Sequence, residues 1–594
     1  MKANVSQGLL HASIFNSRIK SRNTTKSERW IGYFAGPAGA IMFNAIIISY
    51  LNIYYTDVLN LGPVSNGLFL ILFPIISKIF DAITNVIMGA VIDKTRSRQG
   101  KARPWILISA PLVALTGILL FIVPTSNKVI QLVWIVLSYN LYYGFAYSIY
   151  NMSHYLMVPL STRNVRQRNQ LSVFTNIANV AVTGMFIALV FTMVIYPLMR
   201  DHTSLWIPIM SAFSILAFPL IILEYYFTKE RVTEENMYSR AEMTVPVKEQ
   251  LKSMFHSKYW LLILAFQFLF QFVTQVTNLS GMYFFNWVLA PTYDKGANMS
   301  ALVNIIGGFP LGIGMFAAWP LAKRFGKRNI TLVGFALSVI GTGICLLAPS
   351  SLPIILIGKI VQSFGSIPIM YVFSALFADV LDHIEWQSNF RCDGMAASFI
   401  NVIITVCFGF GTGFFNGLLA LSGYVSPEVQ KGMGIAIKNM SQSQSVQNAI
   451  AFSWLGLPII AFTLLFIVTY FLDVEKYIPQ AHKEILERHK AACEARGEKW
   501  LEPELRGKLE QEKIDKESME SFKMEMKEKC KKNQRLNYDK IVADYIEKEA
   551  KAKAKREEED AKNTKKDAAY DAKLAAIKEK KAVRKASNKS KKAS

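Results

Sequence analysis

Apolar stretches longer than ~18 residues recur along most of the chain, and that is the length a helix needs to cross about 30 Å of hydrocarbon. Pro104 to Pro124, Thr203 to Leu223 and Ile450 to Leu472 contain no charged residue at all. A soluble core does not account for so many such runs. The pattern predicts helical spans near 31–55, 64–92, 104–124, 128–158, 169–199, 203–227, 259–289, 298–322, 329–349, 352–378, 394–424 and 450–472. The expected fold class is an all-α membrane protein, with twelve transmembrane helices in two six-helix bundles and a charged cytoplasmic C-terminal tail.

The polar loops set the orientation. Lys94, Arg96, Arg98, Lys101 and Arg103 follow the second span, Arg163, Arg166 and Arg168 the fourth, and Lys323, Arg324, Lys327 and Arg328 the eighth. The alternate loops are nearly bare of Lys and Arg. Basic residues gather on the cytoplasmic side, so a multi-pass cell-membrane protein with both termini cytoplasmic is expected. The stretch 229–258 divides the spans six and six. It separates a first bundle (30–228, after a cytoplasmic segment 1–29) from a second (259–474), and the tail fills 475–594. Each bundle has a basic turn after its second helix, Asp93-Lys-Thr-Arg-Ser-Arg and Lys323-Arg-Phe-Gly-Lys-Arg. A weak repeat of this kind points to a pseudo-two-fold axis with a solute site between the bundles at mid-membrane.

Composition changes the picture little. The net charge of +23 follows from the bias of cytoplasmic loops, so no nucleic-acid partner is implied. More than half of the 66 Lys+Arg and of the 43 Asp+Glu lie in the tail. The tail reads as solvated, partly helical segments without an apolar seam. From Lys578 onward it is basic enough to touch anionic membrane lipids, solvated disorder being the alternative; a cytosolic partner of the tail is left open. The first 29 residues lack the pattern of a secretory signal. The five cysteines form no CxxC motif and read as passive. No Walker loop, HExxH or GxSxG is present, so neither ATP hydrolysis nor another enzymatic role, and no catalytic residue, cofactor or metal site, is expected.

Polar groups inside spans are expensive and face a bundle interior or a watery cavity. Span 4 carries Tyr143, Tyr147, Tyr150, Asn151 and His154 at helical spacing, and span 7 carries Gln267, Gln271, Gln275 and Asn278. Span 1 adds Asn44, Asn52 and Tyr55, and span 5 adds Asn176 and Asn179. Amides and aromatic faces are what a neutral polyol needs. For any one of these residues, interhelical hydrogen bonding is an equal alternative; four faces on a common axis favour a cavity. Span 2 carries Lys78, Asp81 and Asn85. Lys78 and Asp81 either neutralise each other or make Asp81 an ion-responsive carboxylate.

Three stretches carry a resemblance: Tyr54-Tyr-Thr-Asp-Val58; Phe80-Asp-Ala-Ile-Thr-Asn-Val-Ile-Met-Gly-Ala-Val-Ile-Asp93 with Thr95-Arg-Ser-Arg-Gln-Gly-Lys-Ala-Arg-Pro-Trp-Ile-Leu107; and Ala378-Asp-Val-Leu-Asp-His-Ile-Glu-Trp386 with Arg391-Cys-Asp-Gly394. Over roughly residues 30–475 the chain resembles the glycoside–pentoside–hexuronide:cation symporters, the melibiose-permease branch of the major facilitator superfamily. The resemblance implies a two-bundle carrier working by alternating access. It also shows departures. The family's two helix-2 aspartates that help bind the cation fall on Asp81 and Asn85, and its sugar-contacting aspartates fall on Ile41 and Asn151. A nearby tryptophan falls on Tyr155, a helix-5 arginine on Asn176 and a lysine on Gln387.

The expectation is therefore a carrier of a sugar, glycoside or hexuronide, secondary active or facilitated. Asn44, Asn52, Tyr147, Asn151, His154, Asn176, Gln275 and Asn278 would bind the solute, and Asp81, with Asn85 and Lys78, would couple H⁺ or Na⁺. Two alternatives are a carrier of lysolipid-like amphipathic solutes and a non-transporting sensor signalling through its tail. Asp93, Arg96, Arg98 and Arg103, at the ends of spans 2 and 3, are expected to act in gating, where charged contacts between helix ends hold one state closed. Arg98→Ala should slow transport and leave solute affinity nearly unchanged, which transport rates set beside equilibrium binding will check.

Overall fold

The structure, a computed structural model, describes residues 15–558 apart from 20, 22, 62–66, 96, 98, 125–126, 163–164, 232–245, 391, 496, 498–499, 501–502, 533–536, 548–549, 552–553 and 555–557. Helix α1 spans Glu28–Val58, α2 Leu68–Lys94, α3 Arg103–Leu119, α4 Lys128–Ser161, α5 165–201, α6 Trp206–Phe227, α7 Lys258–Leu289 and α8 Gly296–Phe325. Helix α9 spans Lys327–Leu347, α10 Leu352–Ser388, α11 Asp393–Ser422, α12 444–471 and α13 Ile478–Ala495. Among the described residues nine of these are long and apolar enough to cross a membrane: α1, α2, α4, α6, α7, α9, α10, α11 and α12; α3 is apolar but shorter.

The two halves are built alike where their helices start. Glu230, just after α6, accepts hydrogen bonds from the backbone N–H groups of Lys101 (2.9 Å), Ala102 (2.8 Å) and Arg103 (2.7 Å) at the start of α3. Glu475, just after α12, accepts from Lys327 (2.8 Å) and Arg328 (3.0 Å) at the start of α9. In both cases a carboxylate satisfies orphan donors where the helix dipole is positive. Each is the residue that leaves the last helix of its half and caps the third, an internal repeat at the level of single side chains.

Packing between helices rests on small residues, as expected where lipid offers no hydrophobic drive to associate. A Cβ at Gly341 of α9 would meet Gln362 N at 2.4 Å and Gly358 O at 2.6 Å on α10, and one at Gly365 of α10 would meet Gly334 O at 2.5 Å. Across the halves α2 packs along α11 and the segment Val180–Ile195 of α5 against α8. Gly409 and Gly413 of α11 allow that first approach: a Cβ would meet Pro74 O at 2.7 Å and Ile71 O at 2.5 Å respectively.

The halves are also hydrogen-bonded to one another, and these bonds cluster at the end of the bundle remote from α13. Tyr424 donates to Asp57 Oδ1 (2.8 Å), Asn52 Nδ2 donates to Tyr283 Oη (3.2 Å), and the hydroxyls of Thr56 and Tyr283 lie 2.5 Å apart. Ser426 bonds Asn60 (3.0 Å) and Arg200 donates to the carbonyl of Asp294 (2.9 Å). At the other end the ion pairs Glu28–Arg231 (2.8 Å) and Lys327–Asp379 (2.6 Å) each stay within one half. Arg103 does too. It is buried, with its guanidinium on Gln99 Oε1 (3.0 Å) and the Tyr225 carbonyl (3.0 Å). The side chains of Asp93, Arg96 and Arg98 lie outside the described residues.

Beyond residue 475 the chain falls into two parts. Helix α13 belongs to the compact unit that holds the bundle, and lies against the end of α10. Trp386 Nε1 donates to Glu484 (2.6 Å), His482 meets Asp382 (2.9 Å) and His489 meets Glu385 (3.3 Å). The indole N–H, more than the other neighbours, holds the Glu484 carboxyl below the usual carboxylate range. Its contribution to docking is therefore full above that range and is lost as pH falls through the lowered value. The opening of the tail, expected as solvated charge, thus has a partner that spacing alone did not reveal. The described residues from Gly507 onward belong to a separate unit, in which the rings of Phe522 and Tyr545 stack at 3.9 Å.

Gly341→Val or Gly365→Val should destabilise the second half by about 1–3 kcal/mol through overpacking. Gly343→Ala, where nothing lies within 4 Å of a new Cβ, should be neutral. Thermal unfolding of the purified protein in detergent distinguishes them.

Candidate solute cavity

A cavity of about 350 Å³ lies between α1, α2 and α4 of the first half and α7 and α11 of the second, at the lower end of the ~300–1,000 Å³ typical of small-molecule sites. Its wall includes Asn44, Asn52, Tyr147, Asn151 and Gln275, together with Lys78, Asp81 and Asn85. Eight residues singled out in the sequence for solute or ion are thus brought together, from four different helices.

Three are not brought there. His154 is buried and turned toward α6, where Nδ1 lies 2.7 Å from Glu224 Oε1. Asn176 and Asn278 are exposed and absent from the wall. The α4 case has a geometric cause. Tyr143, Tyr147, Asn151 and Tyr155 repeat every fourth residue and share the stripe that faces the cavity. Tyr150 and His154 each stand one position before a member of that stripe, about 100° around the helix, and so reach the neighbouring helix instead. Within α4 the segment Leu141–Tyr147 is wound as a π-helix, and Ser148 Oγ bonds the Tyr143 carbonyl five residues back (2.6 Å). That wider turn brings Ser148 onto the wall beside Asp81.

Asp81 is held from three sides. Lys78 Nζ donates to Oδ2 (2.9 Å), while Ser148 Oγ (3.0 Å) and Asn85 Nδ2 (3.2 Å) donate to Oδ1. The ammonium also sits 3.8 Å from the ring centroid of Tyr143, a cation–π contact that shares its charge with the aromatic wall. The pair is neutral as a unit and its carboxylate lone pairs are largely engaged. A cation approaching Asp81 must first displace an ammonium.

The remaining polar groups are differently placed. Asn416 Nδ2 is fixed on the Leu70 carbonyl (3.0 Å) and Gln275 Nε2 on Thr412 Oγ1 (3.2 Å), which leaves their side-chain oxygens without a partner among the described residues. The Asn44 oxygen and the Tyr55 hydroxyl are buried and unpartnered as well. A buried acceptor left unpaired costs about 1–3 kcal/mol, and all four residues border the same cavity. Tyr139, Tyr143, Tyr147, Tyr155, Phe73 and Phe408 supply flat faces. Among the described residues no cluster of three or more His, Cys, Asp or Glu could hold a metal ion.

Several wall residues escaped the sequence reading. Asn416, Thr412 and Phe408 repeat every fourth residue in α11, a stripe as regular as that of α4. Tyr139 stands one turn before Tyr143 and could have been added on spacing. Nothing in the sequence marks Ser148.

The ion pair makes a direct prediction. Lys78→Ala or Asp81→Ala alone leaves a buried charge uncompensated and should destabilise by about 3–5 kcal/mol, whereas the double substitution should recover most of that loss. Thermal unfolding of the three variants gives the coupling.

Residues 32–476 match the sequence family described as MFS/sugar transport protein. The chain is 26% identical over 456 residues to the isoprimeverose transporter of Lactiplantibacillus pentosus, which covers 75% of this chain and 88% of that one. It is 25% identical over 405 residues to the glucuronide carrier protein homolog of Escherichia coli (strain K12), with 67% and 85% covered. The solved structure of a D-xylose–proton symporter shares the fold at a TM-score of 0.51 and 15% identity, over 74% of this chain and 96% of that chain. With a family match that runs from α1 through α12, the chain belongs to the MFS/sugar transport protein family, whose members are membrane transporters and not enzymes.

Proposed function

We propose that this protein carries a neutral sugar or glycoside across the cytoplasmic membrane by alternating access. In this reading α1 to α12 form twelve spans in two six-helix bundles, with both termini in the cytoplasm. The cavity between the halves carries the proposal. Its unpartnered oxygens at Asn44, Tyr55, Gln275 and Asn416 call for hydroxyl donors, and its tyrosines suit the C–H faces of a sugar ring. The isoprimeverose transporter named among the relatives makes a disaccharide a reasonable first probe. A hexuronide would bring a carboxylate to a wall whose ammonium is already engaged by Asp81, so a neutral solute fits better. The same amides disfavour a lipid-like tail, because burying them against hydrocarbon leaves them unpaired.

Asp81, Asn85 and Lys78 remain the proposed ion-responsive group, but their geometry argues against strong sodium coupling. Sodium is a hard cation that prefers oxygen ligands, by analogy with calcium. Here Asn85 offers an amide, and Asp81 is saturated by an ammonium and two other donors. Proton coupling and uncoupled facilitated diffusion both remain compatible with it.

Proteoliposomes holding the purified protein should exchange labelled isoprimeverose or another neutral glycoside faster than protein-free vesicles. Gln275→Leu and Asn416→Leu should each lower the specificity for that solute about tenfold, the equivalent of one hydrogen bond. An imposed sodium gradient should add little. Strong sodium stimulation abolished by Asp81→Asn would contradict the coupling part of the reading; exchange of no neutral glycoside would contradict the whole.

A further inference from the structure

Behind the cavity wall lies a second buried carboxylate. Glu224 on α6 is wholly inaccessible, and it accepts hydrogen bonds from Tyr150 (2.7 Å, to Oε2) and pairs with His154 Nδ1 (2.7 Å, to Oε1). Helix α1 covers it: a Cβ at Gly36 would meet Glu224 Cβ at 2.6 Å. We propose that His154 and Glu224 form the proton-binding site of this carrier, a titratable pair distinct from Lys78–Asp81. The proposal rests on the transport reading and specifies how it is coupled.

Two carboxylates share the low-dielectric interior of the bundle and differ in their partners. Asp81 is matched with a lysine, a partner whose charge is normally fixed across physiological pH. The pair is neutral without taking up anything. Glu224 is matched with an imidazole, the side chain whose charge changes between about pH 5 and 8. With neutral imidazole the pair carries one negative charge, on a carboxylate that is wholly inaccessible, beside a ring that keeps a small exposed edge. One proton from the adjoining aqueous phase, bound at the free ring nitrogen, converts it to an imidazolium–carboxylate pair of zero net charge. Release of that proton reverses the step. Ionisable groups buried in membrane helices mark ion pathways by default, and this pair contains an imidazole, whose charge changes near neutral pH, where Lys78–Asp81 has an ammonium.

The surrounding charged and titratable groups are accounted for. On α1, Tyr33 bonds Ser161 and the Met157 carbonyl, and Glu28 is closed on Arg231. On α3, Arg103 is held by Gln99 and the Tyr225 carbonyl and lies over the Tyr225 ring of α6. On α4 itself, Tyr147 and Tyr155 are ring neighbours. Among the described residues the cation that hydrogen-bonds Glu224 can only be His154.

The pair is also placed to sense the solute. Tyr147, Asn151 and Tyr155 face the cavity, and Tyr150 and His154 occupy the adjacent stripe of the same helix. The rings form a chain of contacts: Tyr147 to Tyr150 at 6.3 Å and tilted, Tyr150 to His154 at 5.7 Å and stacked, and His154 to Tyr155 at 5.8 Å and tilted. A solute that tilts α4 changes the contact between His154 and Glu224. By reciprocity, a proton on the pair changes solute affinity.

Infrared titration of the solute-free protein in lipid nanodiscs tests the site without knowing the solute. A one-proton step with imidazole and carboxylate bands should appear in the unmodified protein and in Asp81→Asn, and be absent in Glu224→Gln and His154→Asn. Tyr150→Phe guards against loss of fold. It removes one donor to the carboxylate and should move the midpoint upward by about one pH unit, the equivalent of a hydrogen bond to a charged group. A step that survives Glu224→Gln, or that disappears only in Asp81→Asn, overturns the proposal. In proteoliposomes loaded against a pH gradient, isoprimeverose accumulation should fall at least about tenfold in Glu224→Gln while equal-pH exchange falls much less. If the unmodified protein exchanges no glycoside, the transport reading fails, and the infrared step still decides the proton site.

Discussion

An unpaired polar group in hydrocarbon is costly, and this one constraint orders most polar residues of the bundle. Most are satisfied within their own half: Glu230 and Glu475 on helix starts, Glu28 on Arg231, Lys327 on Asp379. Others tie one half to the other at a single end, through Asp57, Tyr424, Thr56 and Tyr283. Buried side-chain atoms without a partner among the described residues occur at several places, and four of them, at Asn44, Tyr55, Gln275 and Asn416, border one cavity. The cavity is therefore more than an empty space between helices. Four side chains on its wall have hydrogen-bonding capacity left over.

The distribution of cross-half bonds also gives the molecule a direction. At the end remote from α13 the halves are linked by side-chain hydrogen bonds. Toward α13 the described ion pairs stay within one half, and Tyr155 on the cavity wall is 69% exposed. Such a bundle is latched at one end and accessible at the other, one of the two states that alternating access requires. The opposite state needs the Asp57–Tyr424 and Thr56–Tyr283 bonds to break and others to form near Asp379 and α13. Small-residue contacts such as Gly409 on Pro74 and Gly413 on Ile71 lie between and let α2 and α11 stay close.

Much of this was legible in the sequence. Length and apolarity mark the spans, and basic turns mark the repeat. Amides and tyrosines at helical spacing mark the wall, because a polar residue in a span has few places to go. The limits are geometric. A stripe read as one face can be two, and a single position separates Asn151 in the cavity from Tyr150 on Glu224. Glu224 directly follows an apolar run, and its pairing with His154, seventy residues earlier, has no local signal. Asn176 and Asn278 satisfied the spacing rule but lie on exposed faces. The docking of α13 was hidden for the opposite reason: its partners, Asp382, Glu385 and Trp386, lie within the third resembling stretch and were read only as motif.

The central claim, that the unpaired oxygens of one cavity recognise a hydroxylated solute, is tested most directly by an experimental structure of the protein with isoprimeverose. The account predicts density between α1, α2, α4, α7 and α11, with sugar hydroxyls within hydrogen-bonding distance of Asn44, Gln275 and Asn416 and the Lys78–Asp81 pair intact. A solute bound elsewhere, or one seated there while those three oxygens stay unpaired, would contradict it.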